Sequence, residues 1–297
     1  LRTFVFSKDG KAILRKKDPK NSGLKKIYKG LTPKELISIP SFTMAKGHGC
    51  NFSDFTPEFE RVVEIYNAWG SSECTEDEGN PRPIATTGKK GVVSWAQGSI
   101  RKALKQNLRF GFVAGGLDDR GLFAGLFEGD QVQYSPGLTA VMAPEHTRDS
   151  ILAALHTRSC YATTGARIIL GFAIAGLPMG SEITTKAKPG LVYNRHISGY
   201  IAGTSKIEKI EIIRNGELIH TLEPGTIDVE YTYDDSDMIQ SHCLTGGSDL
   251  PDFVYYYVRV FQEDGHMAWS SPIWVDHIEA PPAAPKRGKK KATEASK

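Results

Sequence analysis

The chain of 297 residues has no run of 18 or more apolar residues, so no segment reads as a membrane-spanning helix. Its longest oily stretch, residues 168–177, is interrupted by Gly171 and Gly176. Cysteine is scarce: four residues, at 50, 74, 160 and 243, with no Cys-x-x-Cys pair, which argues against a zinc ribbon. One or two disulfides stay open, and the spacing does not fix a redox compartment. Three catalytic fingerprints are absent as well: the Gly-x-Ser-x-Gly elbow, the phosphate loop with its Lys-Ser/Thr ending, and the dinucleotide-binding glycine pattern. The first residues lack the basic, apolar, small-residue order of a signal peptide, and a soluble protein is expected.

What is present is ordinary for a folded protein, 40% hydrophobic and 24% charged. The formal charge of +3 is unevenly spread. Residues 280–297 hold Lys286, Arg287, Lys289, Lys290, Lys291 and Lys297 against Glu294, a net of +5, which leaves about −2 for residues 1–279. This Pro/Ala/Lys-rich tail has no apolar pattern from which to build a core, and it reads as a solvated, disordered end. The alternative is an anchor making non-specific charge contacts with nucleic acid or an anionic surface.

The pattern divides near residue 163. Before it, strand and helix signals alternate. Residues 2–16 suggest a hairpin turning at Asp9-Gly10, and residues 15–30 a lysine-rich surface loop. Thr32-Pro33-Lys34-Glu35 carries a helix-start signature, and residues 36–40 and 62–66 read as strands. Ser99 and Thr147 are placed to cap helices with apolar stripes at Ile100, Ala103, Leu104 and at Ile151, Leu152, Leu155, and a strand at 110–114 lies between them. After residue 163 the chain reads as strands and turns. Asn215-Gly216 marks a hairpin, and Val254, Tyr256, Val258 and Val260 alternate with Tyr255, Tyr257 and Arg259, as in a sheet with two differently solvated faces. In that strand Tyr255 and Tyr257 share a face and Tyr256 points away. The expected fold is α/β plus all-β: an α/β portion over 1–163, a β-sandwich over 164–279 and a disordered basic tail over 280–297.

Strand ends in α/β sheets and barrels are where sites form. That rule selects His48, after the strand ending at Pro40; Glu64, inside an apolar strand; and Asp118 and Asp119, after the strand ending at Ala114. One imidazole and several carboxylates suit Mn, Fe or Zn as a divalent cofactor whose bound water is ionised for hydrolysis. Each residue also has a plainer reading. His48 lies between two glycines in a loop, Asp118-Asp119-Arg120-Gly121 is a turn with a local salt bridge, and Glu73 sits in an acidic loop with Glu76, Asp77 and Glu78 that has a water-facing composition. Glu64 is less ordinary, because a carboxylate in an apolar strand needs a partner or loses its charge.

Several motifs are distinctive as a set: residues 158–168 (RSCYATTGARI), 210–217 (IEIIRNGE), 256–260 followed by 262–274 (QEDGHMAWSSPIW), and 63–66 with Gly70-Ser71-Ser72-Glu73. Over roughly residues 30–276 they resemble a large bacterial family catalogued as a domain of unknown function, number 3604, whose members resemble metal-dependent phosphoesterases of the PHP (polymerase and histidinol phosphatase) type. The resemblance implies the C-terminal part of a distorted α/β barrel, with metal ligands at its strand ends, followed by a β-sandwich. Glu64 matches a family glutamate and Glu73 the Gly-Ser-Ser-Glu pattern. The chain also departs from the pattern. The His-x-His pair that opens such barrels is missing, Ser41 and Phe42 stand where a histidine pair is common, and Leu117 and Asp119 stand where an Asp-x-His is common. A leucine cannot bind a cation, and aspartate differs from histidine in reach and hardness.

The expectation that follows is a PHP-like, hydrolase-derived protein with a degraded metal site and weak or no activity. If it is active, it hydrolyses a small phosphoester, with Glu64, Asp119, Asp118 and His48 as metal ligands. The alternative is a non-catalytic binding or structural module that acts through the β-sandwich.

Overall fold

The computed structural model describes residues 1–8, 23–84, 92–117 and 134–278. In chain order the elements are β1 (Arg2–Phe6), α1 (Leu24–Lys29), β2 (Leu36–Pro40), β3 (Val62–Asn67), β4 (Gly70–Ser71), α2 (Ile100–Lys105), β5 (Gly111–Ala114), β6 (Leu138–Val141), α3 (Arg148–His156) and β7 (Cys160–Thr163). They continue with β8 (Ile169–Leu170), β9 (Ala173–Ile174), β10 (Leu177–Pro178), β11 (Glu182–Thr184), β12 (Arg195–Ala202), β13 (Ile207–Arg214), β14 (Glu217–Leu222), β15 (Asp228–Asp235), β16 (Asp252–Gln262), β17 (Met267–Ser270) and β18 (Ile273–His277).

The protein is mostly β, arranged as several sheets. The largest runs β11-β18-β16-β17-β7-β6, with β13 and then β14 added on the far edge of β16. Across it lies a smaller sheet, β10-β9-β12-β15, with β8 also on β12. Their facing side chains make a sandwich core, in which Ile197, Ile201 and Tyr231 meet Ile210, Ile212, Val254, Tyr256 and Val258. The large sheet is covered on its other face too. There Ile213, Phe253, Tyr255, Tyr257, Trp269 and Trp274 pack against Val63, Ile65, Tyr66, Ile100, Leu104, Phe110 and Phe112. Tyr255 and Tyr257 do share a face, stacked at 6.4 Å, with Tyr256 opposite. The alternation along β16 therefore separates two apolar cores, where the sequence pattern suggests one core and one wetter face. All three tyrosines are at most 1% exposed.

Among the described residues no α/β barrel closes. Parallel pairing among the described residues is confined to β3–β5, β11–β18 and a single bridge between Ser71 and Pro83, and β3, β4 and β5 form a three-stranded patch of their own. The division expected near residue 163 falls at the end of β7, a strand of the large sheet that pairs with both β17 and β6.

Several local expectations are met for the expected reasons. The Ser99 hydroxyl accepts from the Lys102 amide at the start of α2, and Thr147 accepts from Ser150 at the start of α3. Others differ. β1 pairs antiparallel with β2, Arg2 opposite Pro40 and Phe6 opposite Leu36, while the expected hairpin turn falls outside the described residues. Residues 24–29 form a helix that seats Ile27 in the core, in place of the expected loop. The Thr32–Glu35 box does form, since the Thr32 amide and hydroxyl both donate to Glu35 Oε2. It closes a turn and no helix, because the strand begins at once with Leu36. No helix among the described residues is long and apolar enough to cross a membrane. The tail expected to be disordered, 280–297, lies outside the described residues.

Candidate functional site: a buried carboxyl within strand β3

β3 is buried at all six positions, Glu64 among them. Glu64 is 8% exposed. Its Oε1 accepts two hydrogen bonds, from Asn67 Nδ2 at 2.7 Å and from the Phe42 amide at 3.2 Å. Asn67 is held in turn by its Oδ1, which accepts from the Trp69 amide. No hydrogen bond reaches Oε2 among the described residues. That oxygen faces Gly115, where the chain leaves β5; a Cβ added to Gly115 would lie 3.0 Å from it. Burial pushes the Glu64 carboxyl up to about 7, against the pull of the Asn67 and Phe42 hydrogen bonds, which favour the ionised form. Near neutrality the group is therefore only partly ionised, and one of its oxygens takes no hydrogen bond among the described residues.

Phe42 at φ 54° and Leu117 at φ 44° adopt backbone conformations that L side chains seldom take. The left-handed turn at Phe42 aims its amide at Glu64. The side chains of Phe42 and Leu117 pack in one cluster with Met44, Ala45, Ile84, Trp69 and Val92.

The sequence-derived candidates are placed unequally. Glu64 is the third residue of β3, buried and hydrogen-bonded to Asn67 and the Phe42 amide. His48 is exposed, and its imidazole makes no hydrogen bond or ion pair among the described residues. The loop geometry explains this: a Cβ on Gly49 would sit 1.9 Å from the Thr43 carbonyl, so the backbone folds back tightly and residues 46–48 project into solvent. Asp118 and Asp119 lie outside the described residues. Among those described, no group of three or more His, Cys, Asp or Glu side chains is placed to hold a metal ion.

Glu73 is a correction. It does not face water with the acidic loop; it is fully buried. Its Oε1 accepts from Tyr257 Oη at 2.5 Å and from Arg101 and Arg259 at 3.4 Å each, and its Oε2 accepts from Trp269 Nε1 at 2.9 Å. Arg259 also pairs with Glu211 at 2.7 Å. A loop carboxylate and a helical arginine are therefore bound to strands β16 and β17, which fixes the first half of the chain onto the large sheet.

Sequence reasoning missed Asn67 and the Phe42 amide, the two donors to Glu64 Oε1. Asn67 left a faint signal as the polar residue closing an apolar strand. The role of a backbone amide in a left-handed turn left none.

Proteins from Chlamydia muridarum and Chlamydia trachomatis serovar D, each described as uncharacterised, are 55% identical over 278 residues, 93% of this chain. One from Chlamydia pneumoniae, also uncharacterised, is 51% identical over 276 residues. The chain spans 44% of the length of these relatives. Among solved structures, one of the fibronectin(III)-like modules of Clostridium thermocellum CbhA matches 37% of this chain and 99% of its own, at 13% identity and a TM-score of 0.22. The family whose model matches is the one that the sequence motifs resemble, a protein family of unknown function, DUF3604, over residues 119–189.

Proposed function

We propose that the chain is part of a PHP-like protein of the metal-dependent phosphoesterase type, with a degenerate metal site and weak or no hydrolytic activity of its own. The observation that supports this reading is Glu64: a buried carboxyl within β3, one oxygen of which accepts from Asn67 and from the amide of Phe42, itself in a left-handed turn, while the other takes no hydrogen bond among the described residues. Backbone strain of that kind persists where the surrounding structure enforces it, and it clusters at sites.

The described residues do not fit a divalent metal. They supply one carboxylate, and its immediate partners, a carboxamide and a backbone amide, are donors that face Oε1 with hydrogens. A cation bound by Mn-, Fe- or Zn-type chemistry needs several lone-pair donors converging on it. No catalytic step through a metal is therefore derived for this chain. What its residues do is bury Glu64, which raises its carboxyl to about 7, and bond one of its oxygens.

Hydrolysis of a generic aryl phosphate by the purified chain, with Mn²⁺ or Zn²⁺ in excess, tests the proposal. The expected result is no turnover that depends on Glu64. Turnover that Glu64→Ala abolishes, while the variant keeps its fold by circular dichroism, overturns it.

A further inference from the structure

We propose that the open edge of β15 is a docking site for an extended, basic segment of another protein, added to the small sheet as a further strand. This goes beyond the hydrolase-derived reading and does not depend on it.

β15 pairs with β12 along all eight of its residues with no register shift, and among the described residues no strand pairs with its other side. It contains neither proline nor glycine. An edge of this length and regularity offers a row of unpaired backbone N–H and C=O groups, the raw material of strand addition. Its neighbour β14 is likewise an edge strand, of the large sheet, pairing with β13 alone among the described residues. The two edges lie side by side, since His220 of β14 stacks on Tyr233 of β15 with ring centroids 4.3 Å apart. The sandwich is thus open along this side.

The chemistry of that side has one sign. Residues 215–240, which supply both edges, contain seven acidic residues and no lysine or arginine. Asp235 points inward and is consumed by Arg214, Arg195 and Tyr256. Asp234 is engaged by His196 and Asn194. Asp228 and Glu230, on the outer face of β15, are exposed and make no ion pair among the described residues. The alternate positions Val229 and Tyr233 pack against the sandwich core and are only partly buried.

These features specify an occupant. Acids of one sign disfavour pairing with β15 of a second copy, because like charges would face each other. They favour a strand with Lys or Arg at every second position. The intervening positions would lie over Val229 and Tyr233 and should be apolar. The partner chemistry is an extended segment alternating basic and apolar residues.

The test uses the whole chain and two blocked eight-residue probes, one alternating Lys and Val, the other Glu and Val. The Lys-Val probe should bind, more weakly as salt rises, and should slow amide exchange in β15; the Glu-Val probe should not bind. Reversing both exposed acids, Asp228→Lys with Glu230→Lys, should weaken binding about tenfold. Reversing the exposed Glu145 outside the sandwich, Glu145→Lys, should change it little. Equal binding of the two probes, a loss no larger than that of the Glu145 control, or binding without added protection in β15 each overturns the proposal. So does binding that appears only once residues 280–297 are removed, which would assign the edge to the chain's own basic tail.

Discussion

Replacing Glu64 by glutamine isolates the proton on that carboxyl. A protonated carboxyl and a carboxamide are near-isosteres. In the Glu64→Gln variant the side-chain Oε1 would keep both of its hydrogen bonds, from Asn67 and Phe42, and the new NH₂ would take the place of Oε2 beside Gly115. In the folded protein burial raises Glu64 to about 7, against 4.5 in an unperturbed chain. Folded chains therefore hold this proton more tightly than unfolded ones, and the carboxyl costs stability as pH rises from about 4.5 through about 7. The full penalty above that window is about 3 kcal/mol, at 1.36 kcal/mol per pH unit. The difference between Glu64→Gln and the parent, measured by urea unfolding, should grow by about 2.5 kcal/mol in favour of the variant between pH 5 and pH 8.5. Other titrating groups are common to both proteins and drop out of the difference. Parallel stability curves would refute the reasoning. So would a parent that gains on the variant at high pH, because that sign requires a cation holding Glu64 ionised.

Two further outcomes follow from the way the halves are joined. Glu73→Ala leaves Arg101 and Arg259 buried with less counter-charge and strips partners from Tyr257 Oη and Trp269 Nε1. It should lower unfolding stability by about 3–5 kcal/mol, and a loss below about 1 kcal/mol would show that the buried cluster is not a unit. Residues 164–279 expressed alone would lack β6 and β7 and would expose Phe253, Tyr255, Tyr257, Trp269 and Trp274, so they should fail to give a fixed near-ultraviolet circular dichroism signal. A native-like signal with a cooperative melt would make the sandwich a separate folding unit.

What the sequence made legible was mostly local. The Ser99 and Thr147 caps, the strand at residues 62–66 and the facing of Tyr255 and Tyr257 each depend on residues within a few positions of one another. Glu64 was legible because a charged residue in an apolar run is anomalous wherever it lies. Glu73 was not, since its partners Tyr257, Arg259 and Trp269 stand 184, 186 and 196 residues further on, and nothing near it says that its loop turns inward. The pairing of β1 with β2 was hidden by a turn dipeptide, Asp9-Gly10, that offered a nearer partner. The double burial of β16 was hidden because two apolar faces produce the same alternation as one face when tyrosine and arginine fill the second.

The central claim, that Glu64 marks the remains of a metal site which this chain no longer completes, is tested most directly by elemental analysis. The protein would be purified, equilibrated with excess Mn²⁺ or Zn²⁺ and dialysed against metal-free buffer. The account predicts no retained transition metal that depends on Glu64. One or more ions per chain, lost when Glu64 is replaced by alanine, would contradict it.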